Sequence, residues 1–355
     1  MTTGIPRTRK GLAYVVRDSG LVASPYTGTS TAQQGASGAT PPTLSAVTTP
    51  PTPPWRDAEA VAAAQVWMAA AARRSGSPLT GPILEAHTRP WSRVYRAASV
   101  RGPLYLKLSG PSQAHEAALT ALLAPLAGDI IPEVLAVDAE RGWLLLGDAG
   151  GPLSEALAGQ ALLDAWLALL PRYAVLQRAF LGRVDDVLAC GVPDHRLDHL
   201  AASLAAIVDE TTILASLAND SLAMGPAELR AFLPRLGSLC EELAALGIGP
   251  TLQHDDLHDG NVFTGSHGQV VVLDWGDACV THPFLSLWTV QRAAADRLGN
   301  DAALDRLRDA YLEPWAGFAP MSSLRAGARI GAHVGGVTRA LGWYRTATLN
   351  PDAMP

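Results

Sequence analysis

A chain of 355 residues, 48% apolar and 17% charged, is long enough for two lobes and a large core. No apolar run spans a bilayer, since the best candidate, Ala201 to Leu217, is cut by Asp209 and Glu210. Charge is uneven: 13 basic residues face 10 acidic ones up to position 150, and 14 face 23 beyond it, which argues against a nucleic-acid partner and suits a cationic small molecule.

No apolar stretch follows Arg7, Arg9 and Lys10 to make a signal peptide. The three cysteines, Cys190, Cys240 and Cys279, are odd in number and far apart, which suggests reduced thiols in a cytoplasmic protein. Lysine occurs only at Lys10 and Lys107, and arginine takes every other basic position. A chain that avoids lysine so strongly keeps one where a compact point charge serves better than a planar fork.

Residues 1–55 are rich in Thr, Ser, Ala, Gly and Pro. They cannot bury enough apolar surface to offset ordering, so a disordered tail is expected. Asp57 to Arg74 predicts an Ala-rich helix striped by Val61, Val66 and Trp67. From Leu84 to Leu108 the chain reads as a strand meander, clearest at Val94–Arg96 and Leu104–Leu108, around Arg101-Gly102-Pro103. Lys107 stands near the end of the second strand. A helix over Ser112–Ala124 has Glu116 as its only acid. Val134–Val137 and Gly142–Leu146 read as two more strands, and Gly150-Gly151 marks a boundary between lobes at 56–150 and 151–355. Beyond it, Ser154–Leu181 (broken or kinked at Pro171), Asp198–Leu217 and Pro226–Leu246 carry Leu and Ala at helical spacing, as in a helix-on-helix lobe. His195 and His199 are four apart, but with no glutamate after the first and no third ligand they do not make a zinc motif.

The stretch Leu252–Ala278 concentrates the chemistry. Val262-Phe263 and Val270–Leu273 are short apolar runs around Gly265–Gly268 and predict a hairpin. It would bring Asn261 and Asp274 to neighbouring strand ends, with Asp256 five residues before Asn261. Phosphoryl transfer needs such a set: one Asp orients the attacking hydroxyl and accepts its proton, while an Asn and a second Asp hold Mg2+ against the phosphates of ATP. Asp256 fits the first role; Asn261 and Asp274 fit the metal pair. Asp255 lacks the five-residue offset. Asp277 reads equally as a substrate-side acid or a turn residue. Helices follow at Pro283–Leu298, Ala302–Tyr311 (capped by Asp301) and Ser323–Tyr344. The link from Ala278 to Trp288 leaves no room for a peptide-binding activation segment, so the acceptor is a small molecule. Trp288, Trp315 and Trp343 serve either as sugar-stacking rings or as core.

His254-x-Asp256-Leu257-His258-x-Gly260-Asn261, followed by Val272-Leu273-Asp274-Trp275-Gly276-Asp277-Ala278, resembles the signature of the aminoglycoside phosphotransferase family. The resemblance extends more loosely over Ile83–Gly151. It implies an α+β, protein-kinase-like, two-lobed fold: a small lobe with an antiparallel sheet, and a larger, mostly helical lobe. It implies that Lys107 binds the α and β phosphates of ATP and that Glu116 pairs with it. It also places the adenine at the Gly147 carbonyl and the Ala149 amide. The expected activity is ATP- and Mg2+-dependent phosphorylation of a hydroxyl on an aminoglycoside, an amino sugar or a similar polar alcohol, with no protein, nucleic-acid or membrane partner. One departure stands out. The turn Arg89-Pro90-Trp91-Ser92-Arg93 has none of the glycines that cover phosphates in protein kinases. That absence favours a non-catalytic nucleotide- or metabolite-binding regulator on the same fold; Asp256, Asn261, Asp274 and Lys107 oppose it.

Overall fold

The computed structural model describes residues 53–208, 226–265 and 268–350. Most of the expected tail and the second half of the expected 198–217 helix lie outside these. The last residues of the tail enter a short turn, Pro54–Arg56, and the Trp55 carbonyl accepts a hydrogen bond from Arg93.

Helix α1 (Ala58–Arg74) is capped by Asp57, whose carboxylate accepts from the Glu59 amide at 2.9 Å. Strands β1 (Leu84–Arg89), β2 (Ser92–Ser99) and β3 (Gly102–Ser109) form the expected meander. A turn at Pro111–Gln113 leads into α2 (Glu116–Ala127), followed by β4 (Val134–Asp138) and β5 (Trp143–Gly147). The antiparallel sheet runs in the order β1-β2-β3-β5-β4. Leu104, Leu106 and Leu108 are buried in one cluster with Met68 of α1 and Trp143. Strand alternation turns Lys107 the other way, to α2.

The helical lobe comprises β6 (Gly151–Pro152), α3 (Leu153–Ala156), α4 (Gly159–Ala179), α5 (Val184–Ala189), α6 (Leu197–Val208), α7 (Pro226–Ala244), β7 (Thr251–Gln253), β8 (Val262–Thr264), β9 (Val270–Val272), β10 (Cys279–Thr281), α8 (Leu287–Leu298), α9 (Asp301–Leu312) and α10 (Met321–Leu349). Two expectations are corrected. The break in 154–181 falls at Leu157–Ala158, where the backbone is extended, and Pro171 lies inside α4. The cap of α9 is Asn300, which accepts from the Ala303 amide at 2.7 Å, rather than Asp301. Trp166, Tyr173, Trp275, Phe284, Tyr311 and Trp315 are fully buried at the centre of this lobe. Trp315 is therefore core and not a sugar-stacking surface.

Helix α10 packs by its backbone. Gly327, Gly331 and Gly335 share one face, and a Cβ on Gly331 would lie 2.5 Å from the Phe284 carbonyl. The helix thus rests on the Pro283–Ser286 turn just behind the site. Gly331→Ala should lower stability by about 1–3 kcal/mol through overpacking. Gly317→Ala, where a Cβ meets nothing within 4 Å, should leave the melting temperature unchanged in the same thermal scan.

Burial lowers the pKa of His115 and of His282 to about 3. Both are closed to solvent, at 5% and 1% exposure. A depressed folded-state pKa contributes stability above the unfolded value near 6.5, and that stability is lost as pH falls toward 3. Each ring then costs about 1.4 kcal/mol per pH unit. His195, lowered by burial to about 3, adds a third such ring. Asp255, raised by burial to about 7, works the other way from pH 7 down to about 4 and cancels roughly one of the three. Chemical denaturation at pH 7, 6 and 5 should show a net decline, steeper in Asp255→Asn.

Candidate active site

Two halves of the site arrive on separate elements. From the sheet, the Lys107 ammonium lies 2.6 Å from Glu116 Oε2 and 2.5 Å from Asp274 Oδ1. The Ser109 hydroxyl, two residues along β3, donates to Glu116 Oε2 at 3.0 Å. Burial would lower the Lys107 pKa, but Asp274 and then Glu116 outweigh it and hold the ammonium above its usual range. Lys107 therefore stays charged. It is 12% exposed and Glu116 2%, whereas Asp274 keeps 37% of its side chain open to the cleft.

From the helical lobe, β8 and β9 pair antiparallel with Val262 opposite Val272, as the hairpin reading required. The Leu273 amide donates to the Asn261 carbonyl at 2.9 Å, which sets Asn261 beside Asp274. The Asn261 amide nitrogen donates to the Asp256 carbonyl at 3.0 Å and to Asp256 Oδ2 at 3.2 Å. Its side-chain oxygen is thereby left as the atom not engaged by Asp256. Asp274 and Asp255 are the two non-glycine residues of positive φ among the described residues, at 65° and 61°. Left-handed backbone is costly for a residue with a Cβ and tends to be kept where side chains must be aimed.

The loop is braced from below. His254 Nε2 donates to the Leu273 carbonyl at 2.8 Å, which fixes the tautomer, and Nδ1 accepts from the Asp256 amide at 3.3 Å. Burial lowers the pKa of His254 and keeps it neutral. The Tyr173 hydroxyl of α4 accepts from the His254 amide at 2.9 Å. Asp255 points inward and accepts from Gln253 at 2.7 Å and Thr338 at 2.6 Å. It is 3% exposed and cannot reach an acceptor in the cleft.

One residue escaped the sequence reading. Arg339 of α10 lies 3.0 Å from Asp256 Oδ1 through Nη2 and 3.0 Å from Asp277 Oδ2 through Nη1. Burial would raise the pKa of Asp256; Arg339, and after it His258, hold it well below the carboxylate range. Nothing in the sequence singles Arg339 out, because its partners are distant in the chain. Asp277 lies in the short turn Trp275–Asp277 and is a partner of Arg339.

The remaining candidates, Gly147 and Ala149, lie buried where β5 leads to β6. Gly147 ends β5 opposite Leu104 of β3. Ala149 is buried in the segment that leads on to β6, which pairs with β8 at Gly151–Thr264. That segment connects the sheet to the hairpin carrying Asn261. Trp91, in the glycine-free turn, packs edge-on against Trp343 at 5.8 Å between ring centroids. Among the described residues no helix is long and apolar enough to cross a membrane.

No curated protein sequence matches the chain. In fold it is similar to an ethanolamine kinase from Plasmodium vivax, at 9% identity over 76% of this chain and 77% of that one, with a TM-score of 0.55. It is also similar to a choline/ethanolamine kinase family protein from Mesorhizobium loti, at 22% identity over 82% and 87%, with a TM-score of 0.50. An aminoglycoside phosphotransferase from Streptomyces rimosus, solved with ADP and streptomycin, shares 21% identity over 69% of this chain and 90% of its own, with a TM-score of 0.44. The model of the phosphotransferase enzyme family matches residues 84–323. That span runs from β1 into the first turn of α10 and takes in Lys107, Glu116, Asp256, Asn261 and Asp274. The match covers more than half of the chain, which belongs to the phosphotransferase enzyme family.

Proposed function

We propose that the protein transfers the γ-phosphoryl group of ATP, with Mg2+, to a hydroxyl of a small polar acceptor such as an aminoglycoside, an amino sugar or a related alcohol. The observation that carries this reading is the meeting of Lys107, Glu116 and Asp274 in one ion-paired group, beside an Asp256 held by Asn261. Asn261 and Asp274 offer hard oxygens, the donors a small divalent cation prefers, so they fit Mg2+ and would hold it. When bound, the metal would offset charge on the β and γ phosphates. Lys107, steadied by Glu116, binds the α and β phosphates as a point charge. The Gly147 carbonyl and Ala149 amide take the adenine edge.

Asp256 receives the hydrogen bond of the acceptor hydroxyl. As the acceptor oxygen bonds to phosphorus, the bond to the leaving ADP oxygen breaks and the hydroxyl proton passes to the Asp256 carboxylate. Arg339 and His258 make that carboxylate a weak base. Orientation therefore leads and proton transfer comes late, as suits a loose transition state. The acidic balance of the helical half supports a cationic acceptor.

ADP release measured across aminoglycosides, amino sugars and choline-like alcohols, with and without Mg2+, tests the reading. Metal-dependent ADP formation in step with a phosphorylated acceptor is expected. Nucleotide binding that ignores Mg2+, with no acceptor consumed, would instead make the protein a binding regulator.

A further inference from the structure

We infer that Arg339 is a positioning residue that fixes the plane of the Asp256 carboxylate, and that Trp343 ties its placement to the β1–β2 turn through Trp91. The inference rests on the reading of Asp256 as the group that orients the acceptor.

The two oxygens of Asp256 have different anchors. Asn261 donates to Oδ2 at 3.2 Å, and Arg339 approaches Oδ1 at 3.0 Å. Without Arg339, Asn261 and His258, the latter 3.6 Å from the same Oδ2, would hold one oxygen only, and the carboxylate could swing about its last torsion, which is broad and shallow for Asp. With both anchors, it presents one orientation to the cleft. Arg339 is itself fixed in place. Its second arm reaches Asp277 at 3.0 Å, its guanidinium lies 5.1 Å from the Trp343 ring centroid, and the residue is 8% exposed.

Stability alone is a weak reason for this arrangement. Replacing a buried ion pair by packed apolar side chains is often neutral or favourable, so an arginine spanning two carboxylates is better explained by the geometry it imposes. A planar fork can serve both carboxylates at once; a lysine is one point charge. Trp343 stands one helical turn beyond Arg339 and meets Trp91 with its planes at 84°. The Trp91 carbonyl accepts from the Gly110 amide at 2.7 Å, which ties the turn to the end of β3. The turn at the phosphate-covering position is thus in contact, through two rings, with the group that sets the acceptor carboxylate. Arg339 and Trp343 both lie beyond residues 84–323, the span matched by the family. Both stand on α10.

The test measures kcat and KM for ATP and acceptor in wild type, R339K, R339A and W343L, with active sites counted by nucleotide binding. Misplacing a reacting group by about 1 Å can cost about 100-fold. R339K and R339A should therefore lose about 10- to 100-fold in kcat with KM for ATP little changed, and methylguanidine should restore R339A. W343L should fall in the same direction by less. A purely structural arginine would lower the melting temperature and the active fraction but leave kcat per active site intact, with no rescue; that result overturns the inference. If R339A does not fold, R339K carries the same test, since it keeps the charge and loses the fork. A wild type that neither transfers phosphate nor hydrolyses ATP would remove the catalytic reading and this inference together. An active wild type with an indifferent R339K removes only this one.

Discussion

Lys107→Met should destabilise the protein by about 3–5 kcal/mol and abolish productive nucleotide binding. Removing one partner of a buried ion pair leaves the other uncompensated, and that penalty exceeds the worth of the pair itself. Here Glu116, at 2% exposure, has among the described residues only Lys107 and Ser109 on its carboxylate. For a chain of this size, such a loss lowers the melting temperature by roughly 10 °C. The double variant Lys107→Met, Glu116→Gln should recover much of the stability, because Glu116 no longer leaves a buried charge and Asp274, 37% exposed, can be hydrated. It should recover no activity, because the phosphate-binding ammonium is still missing. Thermal scans and calorimetric titration with Mg-ATP check the two halves. A single variant that melts like wild type and still binds Mg-ATP productively would show that Lys107 faces no phosphate.

Asp256→Asn should reduce kcat by about 100- to 10,000-fold, the range typical of a positioned acid–base group. Nucleotide affinity should hold, since the Lys107–Glu116–Asp274 group is untouched. The amide oxygen can accept from only one of Asn261 and Arg339, so some stability is lost, but Arg339 keeps Asp277, and a thermal scan separates that loss from the loss of turnover. Asp255→Asn is the necessary comparison. Asp255 is satisfied internally by Gln253 and Thr338 and raised by burial to about 7, so its neutral amide should alter the pH dependence of stability more than turnover. Initial rates at saturating ATP separate the two. If Asp255→Asn stops turnover and Asp256→Asn does not, the roles are exchanged.

The parts of this site that were legible in the sequence are those whose partners lie close in the chain or whose composition is anomalous. Asn261 and Asp274 flank one hairpin, so spacing alone places them together. Lys107 stands out by rarity, and Glu116 is the only acid of its helix. What could not be read is what depends on distant packing. Arg339 meets Asp256 and Asp277 only because α10 lies against the Pro283–Ser286 turn along its Gly327–Gly331–Gly335 face. Arginine is common in this chain, so residue type carried no signal. The short pairing of β7 with β10 was missed for a related reason, since strands of three residues leave no periodicity to detect. The helix boundaries erred where local chemistry decided them, at Asn300 and at the extended Ala158, rather than where Pro171 suggested a break.

The lysine count has a practical consequence. Apart from Lys10 and the chain's own α-amino group, Lys107 is the sole primary amine in the sequence. Acylating reagents, which report on dozens of surface positions in an ordinary enzyme, would here meet, besides those two, one atom deep in the cleft. Because that ammonium is clamped between two carboxylates, it should resist modification until something pries Asp274 away. The extent of labelling, read by intact-mass spectrometry, then becomes a gauge of how far the two lobes have parted.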